Sequence, residues 1–303
     1  MSRVFVILNG GSGKGHDEAL REQVQGLFAS VGLAAEVWLA SGGQDIADKV
    51  SQAIAQRADI IVAGGGDGTV STVAAALAGG DIALGVLPLG TLNHFAKDLG
   101  LPLDLADAIR QIAAGQRTRV DVGEVNGRVF VNNSSLGLYP DIVHDREQQQ
   151  KHIGRGKWLA LFWASVAALR RFPFLNVRIS VAGQEHLRHT PFVFIGNNEY
   201  RMDGLMLGTR EHLTGGRLSL YATQRPGRVR LLQLALRALF GRLKQARDFD
   251  ALLATEIVVE SRHQFLRVAT DGETTVMRPP LRYRIRAASL TVVGALSSGP
   301  PTI

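Results

Sequence analysis

Gly64-Gly65-Gly66-Asp67-Gly68-Thr69 follows the apolar run Ile60-Ile61-Val62-Ala63 and leads into Val70-Ser71-Thr72-Val73-Ala74-Ala75-Ala76-Leu77. A β-branched run, a glycine cluster and then small residues behind a hydroxyl predict strand, loop and helix. Such a turn brings free backbone N–H groups and the positive end of a helix dipole to one point, which suits a phosphate. Asp67 adds information, because a carboxylate beside phosphates is repelled unless a cation lies between them or it holds a water or hydroxyl. Magnesium is the cation that suits oxygen ligands and phosphates. A glycine-rich turn without a ligand is the bland alternative, so neighbouring segments must decide.

Upstream, Val4 to Leu8 reads as a continuous apolar strand, followed by Asn9-Gly10-Gly11-Ser12-Gly13-Lys14-Gly15 and a helix from about Asp17 to Phe28. Gly13-Lys14 is not a P-loop: Gly15 stands where Ser or Thr is required, and Leu8 where the first glycine belongs. Asn9, Ser12 and the N–H groups of Gly11 and Gly13 remain candidates to hold phosphate. A second strand, Ala35 to Ala40, ends at Ser41-Gly42-Gly43 before a helix from about Gln44 to Gln56. Downstream, Ala83-Leu84-Gly85-Val86-Leu87-Pro88 and Leu89-Gly90-Thr91-Leu92-Asn93-His94 give a further strand and glycine-bearing turn. This alternation predicts an open, largely parallel sheet whose turns gather at its carboxyl edge.

From about Arg117 the pattern changes. Val120 to Asn133 alternates around Asn126-Gly127, the signal of a hairpin. Short strands follow at Phe174–Val181, Pro191–Ile195, Leu218–Tyr221, Ile257–Glu260, Phe265–Ala269 and Tyr283–Ile285, with helical insertions at Trp158–Arg171 and Arg228–Arg247. The expected division is an α/β domain over 1–125, a β-rich domain over 126–296 and a frayed tail over 297–303. The 303 residues suffice for two such cores.

Composition narrows the function classes. Without cysteine there are no disulfides or thiolate metal sites, which suits a reducing compartment. The first residues lack a signal peptide pattern and Trp158 to Leu169 is too short to span a bilayer, so a soluble cytoplasmic protein is expected. A formal charge of +7 favours an anionic partner. No helix-turn-helix, zinc-finger or RNA-binding signature appears, which disfavours nucleic acid.

The ordered set Asn9 to Gly13, Gly65-Gly66-Asp67-Gly68-Thr69, Leu87-Pro88-Leu89-Gly90-Thr91-Leu92-Asn93, Asp121-Val122-Gly123 and Asp271-Gly272-Glu273 resembles the diacylglycerol kinase and sphingosine kinase catalytic family, in particular its soluble bacterial lipid kinases. The resemblance implies a Rossmann-like nucleotide domain, a β-sandwich-like second domain, and ATP with magnesium in the cleft between them. It implies transfer of the γ-phosphate to a lipid hydroxyl, with Asp271 as catalytic base and Glu273 beside it. Asp67 and Asp121 resemble the magnesium-associated acids, acting through water. Thr69, Thr91 and Asn93 resemble phosphate or nucleotide contacts, and Ser41 lies where the family often has a nucleotide-contacting threonine. As carboxylates two apart on an extended segment, Asp271 and Glu273 are expected on one face. The plain alternatives are a turn for Asp-Gly-Glu, a solvent-edge residue for Asp121 and a helix cap for Asn93.

Some positions depart from the family pattern: Gly10 replaces the usual proline, His94 stands where many members have aspartate, and Asn197-Asn198-Glu199 replaces Gly-Asn-Gly. Thr214 to Ser219 lacks both acids of an Asp-Gly-x-Leu-Asp pattern, so an auxiliary structural magnesium depends on a substitute such as Asp203. The basic, leucine-rich stretch Arg228 to Lys244 is either a docking helix for an anionic membrane or a packed helix with solvated arginines. His144, His152 and His263 show no metal spacing. The rival functions are an NAD kinase-like phosphotransferase acting on a soluble alcohol and a catalytically silent nucleotide- or lipid-binding regulator. The acceptor lipid and the oligomeric state, a homodimer included, stay open.

Overall fold

The strand Val4–Asn9 (β1) is apolar at every position from Val4 to Leu8, and successive residues enter two different cores. Phe5 and Ile7 pack on one side with Ile46, Val50, Val70, Val73 and Phe95, while Val4, Val6 and Leu8 pack on the other with Val24, Phe28, Ile109 and Ile112. A strand buried on both faces belongs in the middle layer of a helix–sheet–helix sandwich. The computed structural model describes residues 2–10, 18–137, 174–203, 206–210, 212–223 and 249–294.

The first half alternates regularly. Helix α1 (Glu18–Ser30), strand β2 (Ala35–Ala40), helix α2 (Gly43–Ala55), strand β3 (Ile60–Gly65), helix α3 (Asp67–Leu77) and strand β4 (Ala83–Pro88) follow β1. The four strands are parallel in the order β2-β1-β3-β4, so the predicted open parallel sheet is what forms. Two short helices follow, α4 (His94–Asp98) and α5 (Leu105–Ala114). Asp104 caps α5 by accepting from the N–H groups of Ala106 and Asp107 at 3.0 Å.

The second half is β-rich, as expected. Strands β5 (Arg117–Val125) and β6 (Arg128–Phe130) form a hairpin over Asn126 and Gly127, whose φ values of 46° and 88° match the tight turn that an Asn-Gly pair favours. β7 (Asn133–Gly137), β8 (Leu175–Val181), β9 (Gln184–Thr190), β10 (Phe192–Asn197), β11 (Tyr200–Asp203), β12 (Met206–Arg210) and β13 (Leu218–Thr223) follow. The chain closes with β14 (Phe249–Ala254), β15 (Glu256–Ser261), β16 (Leu266–Thr270), β17 (Glu273–Met277) and β18 (Leu281–Val293). A six-stranded antiparallel sheet, β14-β13-β10-β7-β16-β17, packs its Leu136, Val193, Ile195, Leu220 and Val268 against Ile179, Ile257, Leu281 and Tyr283 of the other sheet. That is a β-sandwich.

One strand does more than its sequence announces. Tyr283–Ile285 alone reads as a short strand, yet β18 runs through Val293 and joins the two halves into one ten-stranded sheet, lying between β4 and β15 and pairing also with β5. Its start, Leu281 and Tyr283, lies in the sandwich core, and its end, Leu290 to Val293, in the α/β cores. A register shift between Arg286 and Leu290, with Ala288 at φ 48°, separates the two stretches.

Gly11, Ser12, Gly13 and Lys14, the segments Trp158–Arg171 and Arg228–Arg247, His144, His152 and the tail 297–303 lie outside the described residues. Among the described residues no helix is long and apolar enough to cross a membrane.

Candidate active site

The glycine turns meet at the carboxyl edge of the parallel sheet. A Cβ on Gly90 would lie 2.5 Å from the Gly66 Cα, so the β3–α3 and β4–α4 turns touch backbone to backbone. A Cβ on Gly65 would lie 2.5 Å from Thr69 Oγ1, which puts the buried Thr69 side chain directly over the first turn. Asn9, at the end of β1, donates from Nδ2 to Thr69 Oγ1 at 3.0 Å. Three chain segments therefore converge, and at Gly65 and Gly90 only glycine fits the spacing.

Asn93 holds the third turn from inside. Its Oδ1 accepts from Gly90 N–H at 3.0 Å, and its Nδ2 donates to the carbonyls of Gly90 and Pro88 at 2.9 and 3.1 Å. It sits at the N-cap position of α4 but in the left-handed region at φ 52°, and its side chain caps nothing. Thr91 and His94 beside it are exposed, and Gly66 to Gly68 are partly exposed. Asp67 opens α3, and its Oδ1 accepts from Phe95 N–H at 3.4 Å, joining α3 to the start of α4. The Ser41 N–H and hydroxyl both go to Asp45 Oδ2, at 2.8 and 3.2 Å, an exposed local bond at the start of α2.

Asp271 reaches this edge from the other end of the chain. It is the first residue of a two-residue turn between β16 and β17, with φ 49° followed by Gly272 at 89°. The extended geometry expected for Asp-Gly-Glu is thus replaced by a tight hairpin, for which Asp-Gly is well suited. That turn separates the two acids. Asp271 Oδ2 accepts from Ser71 Oγ on α3 at 2.5 Å and from Val131 N–H at 2.8 Å, and Oδ1 accepts from the N–H groups of Asn132 and Asn133 at 2.8 and 3.0 Å. Glu273 is exposed and pairs with Arg128 at 2.6 Å. Burial pushes the Asp271 carboxyl above its ordinary value, and the Ser71 hydroxyl and the three amides pull in the other direction.

Ser71 lies four residues beyond Asp67 on α3, hence on the same helix face and about 6 Å further along. Among the described residues this serine joins the acidic hairpin to α3, the helix that leaves the β3–α3 glycine turn, and no sequence motif singles it out. A second set of residues was also missed. Arg210, with a side chain 0% exposed, pairs through Nε and Nη2 with Asp98 of α4 at 2.8 and 2.6 Å. Its Nη1 donates to Val131 O at 2.5 Å and its Nη2 to Asn132 Oδ1 at 2.9 Å. The Val131–Asn132 peptide, whose N–H holds Asp271, and the Asn132 side chain are thus gripped from behind by a buried arginine. Tyr200 adds its hydroxyl to Asn132 O at 3.0 Å and its ring beneath the guanidinium at 5.4 Å.

Asp121 is used differently from the acids above. It is 3% exposed, so it is not a solvent-edge residue, and its oxygens accept from Ala288 N–H at 2.8 Å and Gly216 N–H at 2.7 Å. Both bonds brace backbone, at the irregularity in β18 and in the loop before β13. Among the described residues no group of three or more His, Cys, Asp or Glu forms a ready metal site.

Residues 3–125 match the diacylglycerol kinase catalytic domain, and residues 142–294 match the YegS C-terminal NAD kinase β-sandwich-like domain. The chain belongs to the diacylglycerol kinase-like family. A relative from Klebsiella pneumoniae named "Probable lipid kinase YegS-like" is 34% identical over 150 residues, covering 48% of this chain and 50% of the relative. A diacylglycerol kinase of Staphylococcus saprophyticus is 30% identical over 153 residues, covering 50% of each. The chain thus spans about half the length of the curated relatives it matches. The crystal structure of a diacylglycerol kinase from Bacillus anthracis superposes with a TM-score of 0.70 at 21% identity, covering 100% of this chain and 98% of that one, which shows the shared fold.

Proposed function

We propose that this member of the diacylglycerol kinase-like family is an ATP-dependent lipid kinase that phosphorylates a lipid hydroxyl, with Asp271 as general base. The observation that carries the proposal is the hydrogen bond from Ser71 to Asp271, which sets the only acid of the β16–β17 turn one helical turn from the glycine loops. The turns of Gly65 to Thr69 and Gly90 to Asn93 would hold the triphosphate through their amides, with Asn9 and Thr69 fixing the loop and Thr91 exposed at its rim. Gly11, Ser12, Gly13 and Ser41 would extend the same cradle.

Magnesium fits a donor set in which Asp67 stands beside the phosphates, because that ion takes one or two carboxylates and completes its shell with phosphate oxygens and water. When bound it would neutralise charge on the transferring phosphoryl group. Asp121, already bonded to two amides, would act on it only through water.

The acceptor is distinguished by experiment: incubation with magnesium, labelled ATP and total bacterial lipid extract, with NAD in a parallel tube and mass identification of the product. A phosphorylated lipid supports the proposal; phosphorylated NAD or no product overturns it. Two further outcomes are expected. Gly90→Ala forces the two turns apart, since its Cβ would sit 2.5 Å from the Gly66 backbone, and should weaken ATP binding at least about tenfold by titration calorimetry. The base works only when ionised, and its pKa is raised above the ordinary 3.8. The acid limb of kcat/KM should therefore lie above that value, activity falling as pH drops through it.

A further inference from the structure

The Asp271 carboxylate has no vacant place for a proton. Two carboxylate oxygens offer about four lone-pair directions, and the hydroxyl of Ser71 and the amides of Val131, Asn132 and Asn133 fill them. Three of these donors cannot turn away. Each is anchored through the other end of its own peptide: Phe130, which precedes the Val131 N–H, pairs with Gly123 across the β5–β6 hairpin; Val131 O, which precedes the Asn132 N–H, is held by Arg210 Nη1 and Asn197 Nδ2; and Asn132 O, which precedes the Asn133 N–H, by the Tyr200 hydroxyl and Asn197 N–H. The fourth donor, Ser71 Oγ, hangs on one rotatable bond on a partly exposed stretch of α3. It is also the only one of the four that is an alcohol, the same group as the acceptor.

We infer that the Ser71 hydroxyl occupies the seat of the acceptor hydroxyl on Asp271 Oδ2 and shields the base from water until an acceptor displaces it. This rests on the kinase function proposed above. A kinase holding ATP must refuse water as a competing nucleophile. Water must displace a hydroxyl that is tethered in place, and it brings nothing further to the exchange. A lipid alcohol brings the burial of its chains, which drives the serine aside. With the seat exchanged, the acceptor oxygen bonds to the γ-phosphorus while its proton passes to Asp271 Oδ2. The bond from that phosphorus to the β,γ-bridging oxygen breaks, and its electron pair leaves on ADP. Water in the same seat would give ADP and inorganic phosphate.

The test compares release of inorganic phosphate from magnesium-ATP without lipid, and phosphorylation of vesicles of bacterial lipid extract, across four proteins. Ser71→Ala should raise lipid-independent hydrolysis about tenfold or more, the loss of one charge-assisted hydrogen bond, and lower the KM for lipid. Ser71→Thr keeps a hydroxyl and should return hydrolysis to the parent level. The double variant Ser71→Ala with Asp271→Asn should lose the gain, since water then has no base. Unchanged hydrolysis in Ser71→Ala overturns the inference, and if lipid turnover falls at the same time the serine relays the proton instead. If the parent protein phosphorylates nothing in the extract, the kinase function itself fails and the seat falls with it; if it does so and only the serine variant is silent, the seat alone is lost.

Discussion

Asp271→Asn is expected to cut lipid phosphorylation by about 10²–10⁴-fold, the range over which a positioned acid or base acts. ATP should still bind, because the groups that hold the Asp271 carboxylate, Ser71, Val131, Asn132 and Asn133, lie outside the glycine turns of β3–α3 and β4–α4. The substitution is not silent for stability. Every group facing this carboxylate is a donor, and only the Ser71 hydroxyl can reverse its role. An amide NH₂ in the place of Oδ2 would meet the Val131 N–H, and a buried donor left without an acceptor costs about 1–3 kcal/mol. Thermal melts with and without ATP, beside turnover measured well below the midpoint, separate the two losses. Lipid turnover within tenfold of the parent would take Asp271 out of the reaction.

The largest stability effect should come from Arg210. Arg210→Met leaves Asp98, whose side chain is 6% exposed, as a buried charge without its partner, a change that costs about 3–5 kcal/mol. Urea unfolding should show most of it. Arg210→Met combined with Asp98→Leu removes both charges and should recover much of that loss, since an apolar pair of similar volume can replace a buried ion pair at little cost. Activity should not recover with it, because Val131 O is then left with Asn197 Nδ2 alone and Asn132 Oδ1 has lost its bond to Arg210, loosening the Val131–Asn132 segment around Asp271. Equal recovery of stability and turnover would show that Arg210 has no hold on the site.

The glycine turns were legible because their constraint is local. Gly65 and Gly90 tolerate no side chain, and the need for glycine is written in the residue itself. The Asp271-Gly272 pair was equally plain as a turn. Its extended form was not, because the neighbouring hairpin overrode the spacing argument and sent Glu273 to Arg128. Ser71 and Arg210 carried no local signal. Ser71 lies 200 positions from Asp271 and Arg210 lies 112 from Asp98, so each is an unremarkable residue until the chain has folded. Asn93 showed a third kind of limit. Its position predicts a cap, yet its side chain serves the turn before the helix, a choice made by the left-handed backbone at φ 52°. The length of β18 was hidden by Ala287-Ala288-Ser289, which interrupts the alternation at the point where the strand changes partners.

That shared strand has a consequence for synthesis on the ribosome. β4 meets its neighbour β18 at Leu84 and Val292, 208 positions apart. At translation rates of about 5–20 residues per second, the nascent α/β half would wait roughly 10–40 seconds with one edge unpaired. An open edge is an invitation to pair with a neighbouring chain. The first half of this protein is therefore the first to be made and among the last to be finished, and its cellular yield should depend on whatever shelters that edge in the interval.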